Sequence, residues 1–249
     1  MEQTLLALCG LPASGKTRLA QAIARFFPSQ NVRIVSTDTW RDEEYYADFR
    51  PAREQWVRRK ALDKTDELLE SGLSVIHDDT NYYASMRHEL LELARRHDTV
   101  FGIVHIKTPA DTAVIWNSQR ETHIPELVIR RIADRMDVPG ERYSWDEPIL
   151  SVDLSITDVT SAAQEIADAI QELEPVEKDD QPAETKTRND LIDSMTRETV
   201  TQFLETHRHL RGDKRVSAMR RDVAGRAMDS EILVTDVQKV LLERLKELL

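Results

Sequence analysis

Residues 10–17 read GLPASGKT, a complete G-x-x-x-x-G-K-[ST] pattern, and no other feature constrains the fold as much. A short apolar run, Leu5-Leu6-Ala7-Leu8-Cys9, precedes it, and a helical pattern, Leu19, Ala20, Ala22, Ile23 and Phe26, follows. Strand, glycine turn and helix in that order make a phosphate-binding loop. Gly10 and Gly15 let the backbone curl and approach phosphates without a clashing Cβ. Backbone N–H groups at the start of the next helix face the anion. Lys16 is placed to reach the β- and γ-phosphates, and the Thr17 hydroxyl to ligate Mg²⁺. Gly10, Pro12, Ala13, Ser14, Gly15, Lys16 and Thr17 are therefore the candidates for binding ATP. The loop does not say what receives the phosphate.

Residues 1–173 alternate strand and helix signals. Short Val- and Ile-rich runs at 4–9, 31–36, 73–78, 100–107 and 151–156 predict strands. Segments 16–27, 52–71, 84–97, 110–121, 126–136 and 160–173 predict helices. Such alternation implies an α/β fold of P-loop kinase type, a parallel sheet with helices on both faces. Ligands of these sheets bind at the carboxyl ends of the strands. That rule gathers Gly10–Thr17, Asp38 and Asp78–Asn81 on one edge.

Residues 174–187, EPVEKDDQPAETKT, hold two prolines, dense charge and no aromatic residue, a linker composition. Beyond it, 188–249 shows helical patterns only, near 189–209, 213–227 and 229–248, which predicts a small all-α domain. Its charge runs against the rest. The chain as a whole carries −11, yet 207–226 holds seven Lys/Arg (Arg208, Arg211, Lys214, Arg215, Arg220, Arg221, Arg226) against Asp213 and Asp222. A uniformly basic nucleic-acid binder is excluded, but this segment suits a local phosphate-backbone surface, so a tRNA-binding tail is expected. A solvated helix face is the plainer alternative. One cysteine, Cys9, excludes an internal disulfide framework, and its place at the end of an apolar run suits a buried residue. No stretch approaches 18 apolar residues and no basic region precedes an apolar one at the N-terminus, so a cytoplasmic protein without a membrane span is expected.

Phosphoryl transfer needs a phosphate cradle, Mg²⁺, a group to position or deprotonate the acceptor, and cations for developing charge. Asp38, in STDTWR after the second strand, faces the acceptor in this reading, and Arg41 shares the site if a helical turn begins there. Asp38 as a helix cap is the alternative. Asp78 and Asp79 close the third strand and are the candidates, with Thr17, for the metal. Adjacent strand residues point to opposite faces, so one acid is expected at the metal and the other at the following turn. Thr80 and Asn81 either bind the acceptor or fix that turn. Arg120, near the end of the helix after the fourth strand, is the candidate for stabilising transferred charge, with Arg130, Arg131 and Arg135 behind it. No Cys/His cluster has zinc spacing and no Gly-x-Ser-x-Gly elbow occurs.

The combination GLPASGKT, STDTWR, SVIHDDTNYY and IPELVIRRIADRMDVPGERYSWDEP, then a linker and a helical tail, resembles archaeal O-phosphoseryl-tRNA kinase. The resemblance covers residues 4–150 closely and the tail in layout. It implies that the chain phosphorylates the serine of seryl-tRNA(Sec), in selenocysteine biosynthesis. Lys16 and Thr17 would serve ATP and Mg²⁺, Asp38 would be the catalytic base, Arg41 would lie in the active site, and the tail would grip the tRNA. One position departs. That family carries Arg-x-x-x-Arg where this chain has Trp116 and Arg120. The Trp-Asn pair there is similar to a sister family, the tRNA-dependent ATPase that works with Elongator in wobble-uridine modification. Trp116 is otherwise an apolar face residue of its helix. A small-molecule kinase is a third reading. A homodimer is compatible with all of them, and an Elongator-type partner with the second.

Overall fold

Strand β1 (Thr4–Gly10) is buried along its whole length, and its alternate residues enter two different cores. It is the middle strand of a five-stranded sheet with β2 (Val32–Ser36), β3 (Ser74–Asp78), β4 (Val100–Ile106) and β5 (Leu150–Val152). The order is β2-β3-β1-β4-β5, and every pairing is parallel. The computed structural model describes residues 2–27, 31–41, 51–120, 123–176, 188–210, 212–229 and 231–249. The chain divides into two units, Met1–Lys178 and Asp179–Leu249.

The helices of the first unit are α1 (Lys16–Ala24), α2 (Pro51–Glu70), α3 (Ala84–Arg96), α4 (Ala110–Ser118), α5 (Glu126–Arg135) and α6 (Val159–Gln171). Leu6 and Leu8 of β1 pack with Leu19 and Ile23 of α1 and Ala163 and Ile166 of α6. Leu5, Ala7 and Cys9 face the other way, onto Ala61 and Leu69 of α2 and Leu90 and Leu93 of α3. This is the period-2 alternation of a strand covered on both faces. The leucines and isoleucines among these each contribute on the order of 1.5–3 kcal/mol of burial energy. From β1 the chain runs to β2 on one side, and from β3 to β4 on the other, so the switch in direction lies between β1 and β3. The carboxyl ends of those two strands open the crevice in which such sheets bind ligands.

Several boundaries differ from the sequence expectation. The strand expected at 151–156 stops at Val152. Asp153 ends it: its Oδ1 accepts from Ser155 N at 2.9 Å, and its carbonyl accepts from Thr157 N at 3.0 Å, which turns the chain. Asp158 then caps α6, accepting from Thr160 N at 2.9 Å and Ser161 N at 3.0 Å. Residues 175 and 176, expected in the linker, are bonded to the start of β4: Val100 and Pro175 form an antiparallel bridge and Val176 N donates to Thr99 O at 3.1 Å. Residues 177–187 of that segment lie outside the described residues.

The second unit contains α7 (Arg188–Thr206), α8 (Lys214–Met228) and α9 (Val237–Lys246). Its core is Ile192, Phe203, Val216, Val223, Ala227, Val237, Leu241 and Leu245. The helix expected from 229 starts at Val237. Asp229 and Glu231 close the preceding helix instead: Asp229 N donates to Gly225 O and Glu231 N to Arg226 O, both at 2.9 Å. No helix among the described residues is long and apolar enough to cross a membrane.

Candidate phosphate-transfer site

Gly10 must be glycine. A Cβ there would lie 2.7 Å from Ile106 O, its parallel partner on β4. Gly15, at φ 96°, lies in the left-handed region, and α1 starts at the next residue. Between them Ser14 N donates to Leu11 O at 3.2 Å, and Thr108 Oγ1 donates to Ser14 O at 3.1 Å. The Ser14 hydroxyl is buried and has no hydrogen-bond partner among the described residues, an orphan group in a loop built to meet an anion. Pro12 is buried and Ala13 sits at φ 58°, so the whole loop is held in a tight, anion-facing curl.

The Lys16 ammonium folds back over this curl and donates to Leu11 O at 2.6 Å and Gly10 O at 3.2 Å. Burial lowers its pKa, against the pull of Asp78, Asp79 and Asp38, which favour the charged form. Thr17 Oγ1 donates to Asp78 Oδ2 at 2.7 Å. Burial raises the pKa of Asp78, and Lys16 and Thr17 work in the opposite direction. Among the described residues no group of three His, Cys, Asp or Glu could cage a metal. A hydroxyl and a carboxylate side by side are hard oxygen donors. That set fits Mg²⁺, which takes few protein ligands and completes its shell with phosphates and water.

Asp79 lies beyond the end of β3; its carboxylate accepts from the Thr80 backbone, as expected of the acid at the following turn, and it also meets Thr37 and Arg41. Both acids turn towards the site. The alternation of a strand stops at Asp78, and Asn81 at φ 41° bends the chain three residues later. Asp79 Oδ1 accepts from Thr37 Oγ1 at 2.9 Å and lies 3.5 Å from Arg41 Nη2. Burial alone would raise its pKa, but Arg41, His77 and hydrogen bonds from Thr80 and Thr37 outweigh it and hold it low. A single helical turn, Thr37–Trp40, follows β2 and carries Asp38. Arg41 Nη1 reaches Asp38 Oδ1 at 2.9 Å, and Nη2 reaches Glu54 Oε1 of α2 at 2.8 Å. Burial weighs against the charge on Arg41, and Asp79, Glu54 and Asp38 more than restore it. Asp38 remains half exposed, more so than Glu54, whereas Asp79 is buried.

Asn81 fixes the turn. Its Nδ2 donates to Leu8 O at 2.8 Å and faces His77 Nδ1 at 3.3 Å, while Gly10 N donates to Thr80 O at 3.0 Å. His77 is buried and its pKa is pushed down to about 4 by burial, so it stays neutral near pH 7. Cys9 is a buried core thiol, raised to about 11 by burial.

Arg120 is exposed, two residues beyond the end of α4. Before it, Asn117 pairs both ways with Ile124: Nδ2 donates to Ile124 O at 2.7 Å, and Oδ1 accepts from Ile124 N at 3.1 Å. Arg130 is taken up by Glu126 at 2.7 Å and Asp111 at 2.9 Å on the outer surface. Trp116 is an apolar packing residue. It joins the core under α1, and its ring lies 3.6 Å from where a Cβ on Gly15 would stand.

The basic stretch of the second unit is more committed than its composition suggests. Arg220 is buried on Asp193 at 2.9 Å, Arg215 pairs with Asp213 at 2.7 Å and Arg226 with Glu231 at 3.0 Å. Lys214 and Arg221 are exposed, and Arg211 lies outside the described residues.

A family model described as chromatin associated protein KTI12 matches residues 3–248. The chain belongs to the KTI12 family. Its similarity extends to seryl-tRNA kinases: it is 31% identical over 209 residues to the L-seryl-tRNA(Sec) kinase of Methanococcus maripaludis, covering 81% of each chain. The KTI12 homolog of Danio rerio is 28% identical over 155 residues, 59% of this chain and 56% of that protein. The solved structure of Chaetomium thermophilum Kti12 in complex with ADP-AlF3 superposes with a TM-score of 0.52 at 19% identity, over 67% of this chain and 98% of that one. That likeness places the KTI12-family chain in the P-loop kinase fold.

Proposed function

We propose that this protein is an ATP- and Mg²⁺-dependent phosphotransferase whose acceptor is the serine hydroxyl of seryl-tRNA(Sec). The observation that carries the proposal is the bridge made by Arg41, which holds the exposed Asp38 on the same sheet edge as the phosphate loop and Asp79. Lys16 would exchange its carbonyl partners, Leu11 O and Gly10 O, for phosphate oxygens of ATP. Thr17 and Asp78 would hold Mg²⁺, which when bound neutralises charge on the phosphates. Asp38 orients the acceptor hydroxyl and takes its proton as the oxygen bonds to the γ-phosphorus and ADP leaves. Arg41, fixed by Glu54 and Asp79, supplies positive charge beside that reaction. The similarity to a seryl-tRNA(Sec) kinase across 81% of both chains supports the choice of acceptor. The second unit is assigned to the tRNA, with Lys214 and Arg221 as its phosphate-facing cations.

A second reading keeps the same site but gives the attack to water. In it, tRNA stimulates ATP hydrolysis and an Elongator-type partner uses the result. The KTI12 model match and Trp116, which supplies no charge near the loop, favour it. One assay separates the two. Seryl-tRNA and γ-labelled ATP are mixed with the protein, and the label is followed. Label on the aminoacyl group is the expected outcome; label released as phosphate, with stimulation by uncharged tRNA, selects the ATPase.

A further inference from the structure

Arg87 of α3 is fully buried, and the sequence pattern of its helix, MRHELLELARR, marks it as nothing more than one of several cations. Every N–H of its guanidinium is engaged. Nε donates to Asp146 Oδ1 at 2.6 Å, and Nη2 pairs with Asp146 Oδ2. Nη2 also donates to Asp137 O at 2.9 Å, and Nη1 to Asn81 O at 2.8 Å and Cys9 Sγ at 3.6 Å. Asp146 is itself buried at 1% exposure, in a segment that packs on α3 through Trp145 and His88, ring centroids 4.9 Å apart.

The partners of Arg87 belong to two segments, the turn after β3 and the end of α5, that do not share a strand. Asn81 ends the turn that carries Asp78 and Asp79 and is bonded to β1 through Leu8 O. Asp137 stands at the foot of α5, the helix that bears Arg131 and Arg135. The foot is bonded back to the same turn: Asp137 N donates to Tyr82 O at 2.8 Å, and Ala84 N donates to Asp137 Oδ2 at 3.3 Å.

The geometry points to Arg87, locked by Asp146, as a positioning residue that sets the acid turn 78–81 and the foot of α5 in one fixed relation for phosphoryl transfer. This rests on the proposed ATP turnover. Arg87 touches neither loop oxygen nor acceptor, so it acts through Asn81 and Asp137 on where the acids and the α5 arginines stand. An arginine suits this task because a planar fork can bond four groups at once, which an ammonium cannot.

The test uses the full chain. Truncating one partner would strand a buried charge, whereas replacing both by apolar residues of similar size is often tolerated by the fold. R87M/D146L is therefore compared with R87K and with L90A, a core variant on the same helix. The expected result for R87M/D146L is a melting temperature near wild type, kcat lowered about tenfold or more, and KM for ATP within about threefold. R87K should show the same split, and L90A should melt earlier while keeping kcat per folded molecule. Amide hydrogen exchange gives a readout that needs no turnover: in R87M/D146L and R87K, exchange should quicken together in the segments 79–84 and 136–138. Wild-type kcat in a folded R87M/D146L or R87K overturns the inference, as does quickened exchange in one segment alone or in neither. A wild-type protein that does not turn over ATP overturns the proposed function instead, and the exchange result then decides the role of Arg87.

Discussion

Asp193 of α7 receives Arg220 of α8 at 2.9 Å and Arg197 of its own helix at 2.8 Å, with Asp193 and Arg220 both buried. Burial would raise the pKa of Asp193, but the two arginines reverse the effect and hold it low. Arg220 is thus a strut of the second unit, and its place in a basic stretch says little about a nucleic-acid partner. Arg220→Ala should destabilise that unit by about 2 kcal/mol, below the roughly 3–5 kcal/mol of a fully broken buried pair, because Arg197 stays on Asp193. Thermal denaturation followed by circular dichroism checks it. An unchanged melt would mean that the pair is not the strut described.

Arg221→Ala, next door and exposed, should behave in the opposite way. Its melt should shift less than that of Arg220→Ala, while tRNA affinity weakens and the log–log salt slope falls by about 1 if one phosphate contact is lost. Filter binding at several salt concentrations reads both quantities. A slope equal to wild type would remove Arg221 from the tRNA surface.

The contrast between Arg220 and Arg221 marks how far the sequence could be read. The phosphate loop, the alternation of strands and helices, and the edge that collects Asp38, Asp78 and Asp79 were all legible, because each rests on local spacing. Burial of single cations was not. Arg87 and Arg220 sit in helices whose charge looks solvated, and their partners Asp146 and Asp193 are 59 and 27 residues away. That Asp79 meets Thr37 and Arg41 as well as the turn at Thr80 was missed for a related reason: the rule of alternate faces ends with the strand, and the left-handed Asn81 redirects the chain. The truncation of β5 was missed because Asp153 acts through its side chain and carbonyl rather than through any apolar pattern.

Gly10→Ala should disturb the loop without touching a phosphate ligand. The added Cβ would meet Ile106 O at 2.7 Å and Ser14 Oγ at 3.1 Å. The first neighbour is backbone of β4 and cannot swing aside, so an overpacking cost of about 1–3 kcal/mol is expected. ATP affinity should fall with stability, as read by calorimetry and a thermal melt. Wild-type stability in the variant would show that the close approach is not enforced.

His105 of β4 gives the fold a pH dependence. Its pKa is lowered to about 4, first by burial and then by Arg87 and Lys107. The unfolded chain would titrate it near 6.5, so between pH 6.5 and 4 the unfolded state binds more protons and stability falls as the pH falls. The whole shift corresponds to roughly 3 kcal/mol. His105→Gln removes the titration, and its loss of stability from pH 7 to pH 4.5 should be shallower than that of wild type. Parallel curves of melting temperature against pH would sink this assignment.

Lys16→Ala should abolish ATP turnover and leave a folded protein. The ammonium rests on two loop carbonyls and is not part of either core, so its loss opens no large cavity. Thr17→Ala, which removes the hydroxyl bonded to Asp78, should raise the Mg²⁺ concentration needed for half-maximal turnover by roughly tenfold. Near wild-type turnover in Lys16→Ala would end the nucleotide assignment.

Asp38→Asn separates proton transfer from positioning. The neighbouring Arg41 is held by Glu54 at 2.8 Å and lies 3.5 Å from Asp79, so it should keep its place when Asp38 loses its charge. An asparagine retains an oxygen to accept from Arg41 but cannot take a proton from an acceptor hydroxyl. The expected result is a fall in kcat of roughly 10²-fold or more with KM for ATP little changed, as for a group that acts in the transition state. Raising the pH should not restore the rate, because the amide does not titrate. If nucleotide affinity collapses while the bound enzyme turns over normally, Asp38 serves the phosphates and the acceptor must be deprotonated elsewhere.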